Sequence, residues 1–125
     1  MIPKVLIVDD SKLARMAVIK ALNSLHPDRT RLEAADAAAA LAVVERDRPD
    51  IALLDFNMPG KDGLALAAEL LRVDPQLRVA VISANHQTEV VARTRAAGAA
   101  FLPKPITENS LREFLDSVPM RQERT

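Results

Sequence analysis

The sequence predicts an α/β fold in which five parallel strands, joined by helical crossovers, form the middle layer of a three-layer sandwich. Two observations carry that prediction. Short apolar runs rich in Val, Ile and Leu recur between longer segments with helical spacing, the pattern of repeated β-α units. One of these runs, at residues 51–54, has no polar alternation at all, as a strand covered on both faces requires.

The units follow in order. Residues 5–8 form the first strand. Ser11 is a natural N-cap, after which Ala14, Val18, Leu22 and Leu25 share one helical face until His26-Pro27 stops the helix. Residues 31–35 are the second strand, with Leu32 and two alanines as its apolar members. Asp36 then caps an alanine-rich helix that stops before Pro49, and residues 51–54 are the third strand. Leu64, Ala67, Ala68 and Leu71 make the next helical stripe, closed by Asp74-Pro75, and residues 77–82 are the fourth strand. Residues 87–97 read as a helix ended by Gly98, a left-handed cap, and residues 99–102 are the fifth strand. Leu111, Phe114, Leu115 and Val118 complete the pattern with an i, i+3, i+4, i+7 stripe. Residues 1–119 are expected to form one domain and residues 120–125 a polar tail.

The bulk properties exclude several function classes. The 125 residues suffice for one core without metal or disulfide staples. Seventeen basic and seventeen acidic side chains cancel, so the basic field of a nucleic-acid or anionic-membrane binder is missing and neither partner is expected. The absence of cysteine removes disulfides, thiolate zinc sites and cysteine nucleophiles. No run approaches the roughly 20 apolar residues that span a bilayer, and a cytoplasmic location is the expectation.

In such a fold ligands bind at the carboxyl ends of the strands. There the sequence puts Asp9 and Asp10 after the first strand, Asp55 after the third, Ser83-Ala84 after the fourth and Lys104-Pro105 after the fifth. Converging carboxylates would raise one another's pKa unless a cation neutralised them, and oxygen-only ligands favour Mg2+. Lys104 and the Ser83 hydroxyl add a positive charge and a hydrogen-bond donor for an anion beside the metal, a combination suited to a phosphoryl group. Singly, each residue has an ordinary structural role. Acids before a helix are favoured by its dipole, Asp55 and Ser83 are common turn residues, and a lone lysine is usually solvated.

The stretches VDDS, LLDFNMPGKDG, ISA and FLPKP, in that order and spacing, resemble the receiver domains of two-component response regulators, with a likeness to the stand-alone chemotaxis type. The resemblance covers residues 4 to 118 and implies a flavodoxin-like (βα)5 sandwich with strand order 2-1-3-4-5. It implies Asp55 as phosphoacceptor, Mg2+ held by Asp10, Asp55 and the backbone carbonyl of Asn57, with Asp9 acting through water, and phosphoryl oxygens bound by Ser83 and Lys104. It further implies a cis Lys104-Pro105 bond, a switch made of Ser83 and Phe101, room for the phosphoryl group over Ala84, and control of its hydrolysis by Asn57 and Asn85. Phe101 also reads as a plain core residue. Lys61 stands at a loop position more often apolar in the family and is expected to point to solvent. The implied donor is a histidine kinase or histidine phosphotransfer protein, and the implied output partner binds residues 87–117.

Two other functions compete. A haloacid-dehalogenase-type phosphatase or phosphotransferase also forms an aspartyl phosphate, but its motif needs an acid two residues after the nucleophile, where this chain has Asn57. A flavin binder needs aromatic stacking surfaces, and this chain has no Trp or Tyr and three Phe.

Overall fold

The computed structural model describes residues 4–58, 60–84 and 87–117. Five β-α units alternate along the chain: β1 (Lys4–Val8), α1 (Lys12–Leu25), β2 (Thr30–Ala34), α2 (Ala37–Asp47), β3 (Ile51–Asp55), α3 (Gly63–Val73), β4 (Arg78–Ser83), α4 (Thr88–Ala96), β5 (Ala100–Pro103) and α5 (Glu108–Ser117). The strands form one parallel sheet in the order β2-β1-β3-β4-β5. This is the arrangement expected from the sequence, with each strand shifted or extended by about one residue at its ends.

Local chemistry starts the helices. Ser11 accepts a hydrogen bond from Ala14 N–H at 3.2 Å and Asp36 accepts one from Ala39 N–H at 2.8 Å, each satisfying a donor that the first helical turn leaves open. Asp62 does the same for α3 through Ala65 N–H at 2.7 Å. At the far end of α4, Ala97 closes the helix and Gly98 follows at φ +89°.

The alternation of side chains along the central strands divides the core in two. Val5 and Ile7 of β1, with Leu53 and Ile82, pack under Val18 and Leu22 of α1 and Leu111, Phe114 and Leu115 of α5. Leu6 and Val8, with Leu54 and Val81, pack under Ala40, Val43 and Val44 of α2 and Leu66, Ala67 and Leu70 of α3. Every residue of β3 is buried, and each fully buried Leu or Val contributes roughly 1.5–3 kcal/mol of transfer free energy. The stripe expected for α3 is corrected here. Leu64 and Ala67 are buried as expected, but Leu66 and Leu70 complete the face, while Ala68 is exposed and Leu71 half-buried. Val118 and the proposed tail at residues 120–125 lie outside the described residues.

Candidate functional site

The ladder hydrogen bonds run past the strands and align their carboxyl ends. Phe56 N–H donates to Ile82 O at 2.9 Å, and Lys104 N–H donates to Ser83 O at 2.9 Å. Asp55, Ser83 and Lys104 are thereby set side by side at the carboxyl ends of three neighbouring strands, Lys104 just beyond β5. Asp55 closes β3 with 5% of its surface exposed, and Ser83 closes β4 fully buried. The Lys104-Pro105 peptide is cis.

Asp9, Asp10 and Asp55 meet at this edge, each offering a carboxylate oxygen within 4.8 Å of the others. Asp9 is buried and Asp10 exposed. Burial is the main force pushing the Asp9 carboxyl above its ordinary range. The Ser11 N–H, which donates to Asp9 Oδ1 at 2.9 Å, opposes that shift, and the Asp55 carboxylate adds to it. The sequence leads one to expect mutual repulsion as the cause, but desolvation of the buried Asp9 carboxyl is the larger effect.

Lys104 Nζ lies 2.6 Å from Asp55 Oδ1. This oxygen is buried, and the ammonium compensates its charge as an ion pair. A cation fits the donor set. Octahedral Mg2+ with oxygens at about 2.1 Å places ligands about 3.0 to 4.2 Å apart, so carboxylate oxygens within 4.8 Å of one another could share the ion directly or through water with little movement. Asp55 Oδ1, paired only with the Lys104 ammonium among the described residues, is a buried acceptor such an ion could share.

The other anticipated residues divide. Asn57 is exposed in the loop after β3, and Ala84 is exposed just beyond Ser83. Phe101 is half-buried in β5 and registers with Val81, two residues before Ser83, so Phe101 and Ser83 face the same side of the sheet. Lys61 is not free in solvent as expected: its side chain, 35% exposed, forms an ion pair with Glu69 of α3. Asn85 lies outside the described residues.

Two contributors went unnoticed in the sequence. Gly63 approaches the backbone of Asp55 so closely that a Cβ there would lie 2.3 Å from the Asp55 carbonyl oxygen. Arg15, one turn into α1, donates from Nη1 to the Asp9 carbonyl at 2.6 Å and from Nε to Glu33 Oε1 at 2.9 Å. Gly63 directly after a capping aspartate was a usable signal; nothing local marked Arg15.

Residues 5–116 match the response regulator receiver domain family. The chain belongs to this family. The receiver domain is 38% identical over 109 residues to the probable transcriptional regulatory protein NarL of Mycobacterium tuberculosis, covering 86% of this chain and 50% of that protein. The chain thus spans half the length of the NarL relatives it matches. It is 34% identical over 119 residues to chemotaxis protein CheY-3 of Vibrio cholerae, covering 92% of this chain and 90% of the relative. Among solved structures, the CheX-CheY-BeF3-Mg2+ complex from Borrelia burgdorferi superposes with a TM-score of 0.84 at 28% identity, covering 93% of this chain and 88% of that one. The receiver domain is therefore a component of two-component signalling.

Proposed function

We propose that Asp55 is the phosphoacceptor of this receiver domain, taking a phosphoryl group from the phosphohistidine of a histidine kinase or histidine phosphotransfer protein. The observation that carries the reading is a buried Asp55 whose Oδ1 lies 2.6 Å from Lys104 Nζ and whose carboxylate belongs to a cluster with Asp9 and Asp10. A dry, rigid strand holds the Asp55 carboxylate for in-line attack. One of its oxygens bonds to phosphorus as the P–N bond of the donor breaks, and the departing imidazole takes up a proton. Attack by water later releases inorganic phosphate and restores the carboxylate.

Asp10, Asp55 and the Asn57 carbonyl would hold Mg2+, with Asp9 reached through water, and the ion would offset negative charge gathering on the transferring oxygens. Lys104 exchanges part of its pairing with Asp55 for the phosphoryl oxygens, and the Ser83 hydroxyl donates to them. Movement of Ser83 then frees Phe101 to turn inward and reshape residues 87–117, which bind the output partner. The Borrelia neighbour, solved with BeF3 and Mg2+ and with a second protein, supports both the chemistry and a protein output. The Asn57 and Asn85 side chains, both neutral, fit an ordinary phosphoryl lifetime. Leu13 and Met16, exposed on the first turns of α1, the helix that follows Asp9 and Asp10, offer an apolar surface to the donor protein. Residues 1–119 are the receiver unit in this reading, with neither nucleic acid nor membrane as partner and a cytoplasmic location.

Incubation with a panel of phosphorylated histidine kinases, read by intact mass, should add one phosphoryl group to the wild type and none to Asp55→Asn. Equal labelling of both would assign the acceptor elsewhere.

A further inference from the structure

Asp10 is exposed, so packing does not hold the residue assigned above to the metal. Its position must come from the backbone. The peptide on its N-terminal side is fixed at the carbonyl of Asp9, which accepts from Arg15 Nη1 at 2.6 Å. The peptide on its C-terminal side is fixed at the Ser11 N–H, which donates to Asp9 Oδ1 at 2.9 Å. Asp9 is itself anchored to the sheet, because its N–H donates to Ala34 O at 3.1 Å. Of these three contacts, the one to the Asp9 carbonyl depends on a side chain from outside the loop.

That side chain is well placed to act rigidly. Arg15 is 14% exposed, and its Nε donates to Glu33 Oε1 of β2 at 2.9 Å, which fixes the plane of the guanidinium. The guanidinium thus bridges α1, β2 and the loop that carries Asp9 and Asp10. From this geometry we propose that Arg15, oriented by Glu33, is a positioning residue that pre-sets Asp10 for divalent-cation binding through the Asp9 carbonyl. The inference rests on the assignment of Asp10 to the Mg2+ site. Partners of this kind, one layer behind a ligand, typically change metal affinity 10- to 100-fold. The lower end applies here, since Arg15 acts through one backbone group and leaves the donor atoms in place.

The test is titration of Mg2+ into the apo protein, followed by amide NMR, for wild type, Arg15→Ala, Arg15→Lys, Glu33→Gln and Asp10→Ala. Arg15→Ala should bind Mg2+ about 10-fold more weakly. Its Ser11 amide should already be displaced before metal is added, a signature that a general loss of stability would not localise. Arg15→Lys, able to donate to the carbonyl but not to hold Glu33 as well, should recover part of the affinity, and Glu33→Gln should lose less than Arg15→Ala. If Arg15→Ala does not fold, Arg15→Lys and Glu33→Gln carry the test. Wild-type affinity in the Arg15 and Glu33 variants, with affinity lost in Asp10→Ala, would overturn the positioning role alone. Wild-type affinity in Asp10→Ala would overturn the metal assignment and this inference with it.

Discussion

Replacing Gly63 by alanine places two effects of opposite sign in direct competition. Alanine is favoured over glycine within a helix by about 1 kcal/mol, so propensity alone would make Gly63→Ala stabilising. The geometry opposes it. The added Cβ would lie 2.3 Å from the Asp55 carbonyl oxygen, 2.9 Å from Phe56 Cα and 3.0 Å from the Asp55 carbonyl carbon. All three atoms are backbone, so no rotamer change can relieve the contact; the start of α3 or the end of β3 must move by roughly 1 Å to restore ordinary separations near 3.5 Å. Gly63 N–H also donates to Phe56 O at 2.8 Å, and retreat of the helix would stretch that bond. Overpacking of this kind costs about 1–3 kcal/mol or more, and the lost hydrogen bond adds about 1 kcal/mol. The clash therefore exceeds the propensity gain, leaving a net loss of about 1–3 kcal/mol and a fall in Tm of roughly 5–15 °C for a domain of this size. Because the displaced backbone is that of Asp55, a misplacement near 1 Å should also slow phosphoryl acceptance by up to about 100-fold. Thermal denaturation followed by circular dichroism, with the rate of labelling by a phosphorylated kinase, measures both. Gly60→Ala is the control: among the described residues beyond its chain neighbours, nothing lies within 4 Å of its Cβ, but φ is +84°, so it should cost about 1–2 kcal/mol with no displacement of Asp55. A Gly63→Ala protein that melts at or above wild type and is labelled at the wild-type rate would refute the steric argument.

Asp9→Asn should stabilise the metal-free protein, since the amide oxygen can still accept from Ser11 N–H while the charge that burial disfavours is gone. With its folded-state pKa raised above 3.8, the native Asp9 costs nothing when protonated in both states and costs progressively more as pH rises through that raised value. The advantage of Asp9→Asn in Tm, measured with chelator present, should thus grow from acid toward neutral pH; an advantage that shrinks over that range would contradict the assignment of burial as the cause. Ser83→Ala should accept a phosphoryl group from a good donor yet transmit it poorly, because a charge-assisted hydrogen bond worth roughly 1.5–3 kcal/mol is lost. Amide shifts on adding beryllofluoride should extend across residues 87–115 in wild type and contract toward the pocket in the variant, and equally far-reaching shifts in both would reject the relay to Phe101. Leu13→Ser, at a side chain 79% exposed, should weaken use of a protein donor roughly tenfold, the equivalent of about 1.5 kcal/mol of apolar burial, while leaving labelling by a small acyl phosphate unchanged. Equal loss with both donors would place the effect in the pocket instead of the docking surface.

The sequence by itself determined the order of elements and the edge on which chemistry gathers. Unbroken apolar runs, the capping residues Ser11 and Asp36 and the stops at His26-Pro27 and Asp74-Pro75 are local signals, and parallel β-α units then bring Asp9, Asp10, Asp55, Ser83 and Lys104 to one side of the sheet. Which face of α3 is buried was decided only by tertiary structure. The helix reads GLALAAELLRV, apolar enough all round for more than one stripe to fit, and packing against the sheet and α2 buried Leu66 and Leu70 fully, kept Leu71 at the half-buried margin of that core and left Ala68 exposed. Tertiary structure also decided the Lys61–Glu69 pair, the closeness of Gly63 to Asp55 and the bridge from Glu33 through Arg15 to the Asp9 carbonyl. Periodicity and capping act within a few residues and so leave a trace in the sequence. The Glu33–Arg15 bridge and the approach of Gly63 to Asp55 depend on where separate segments meet, and only the packed fold fixes those distances.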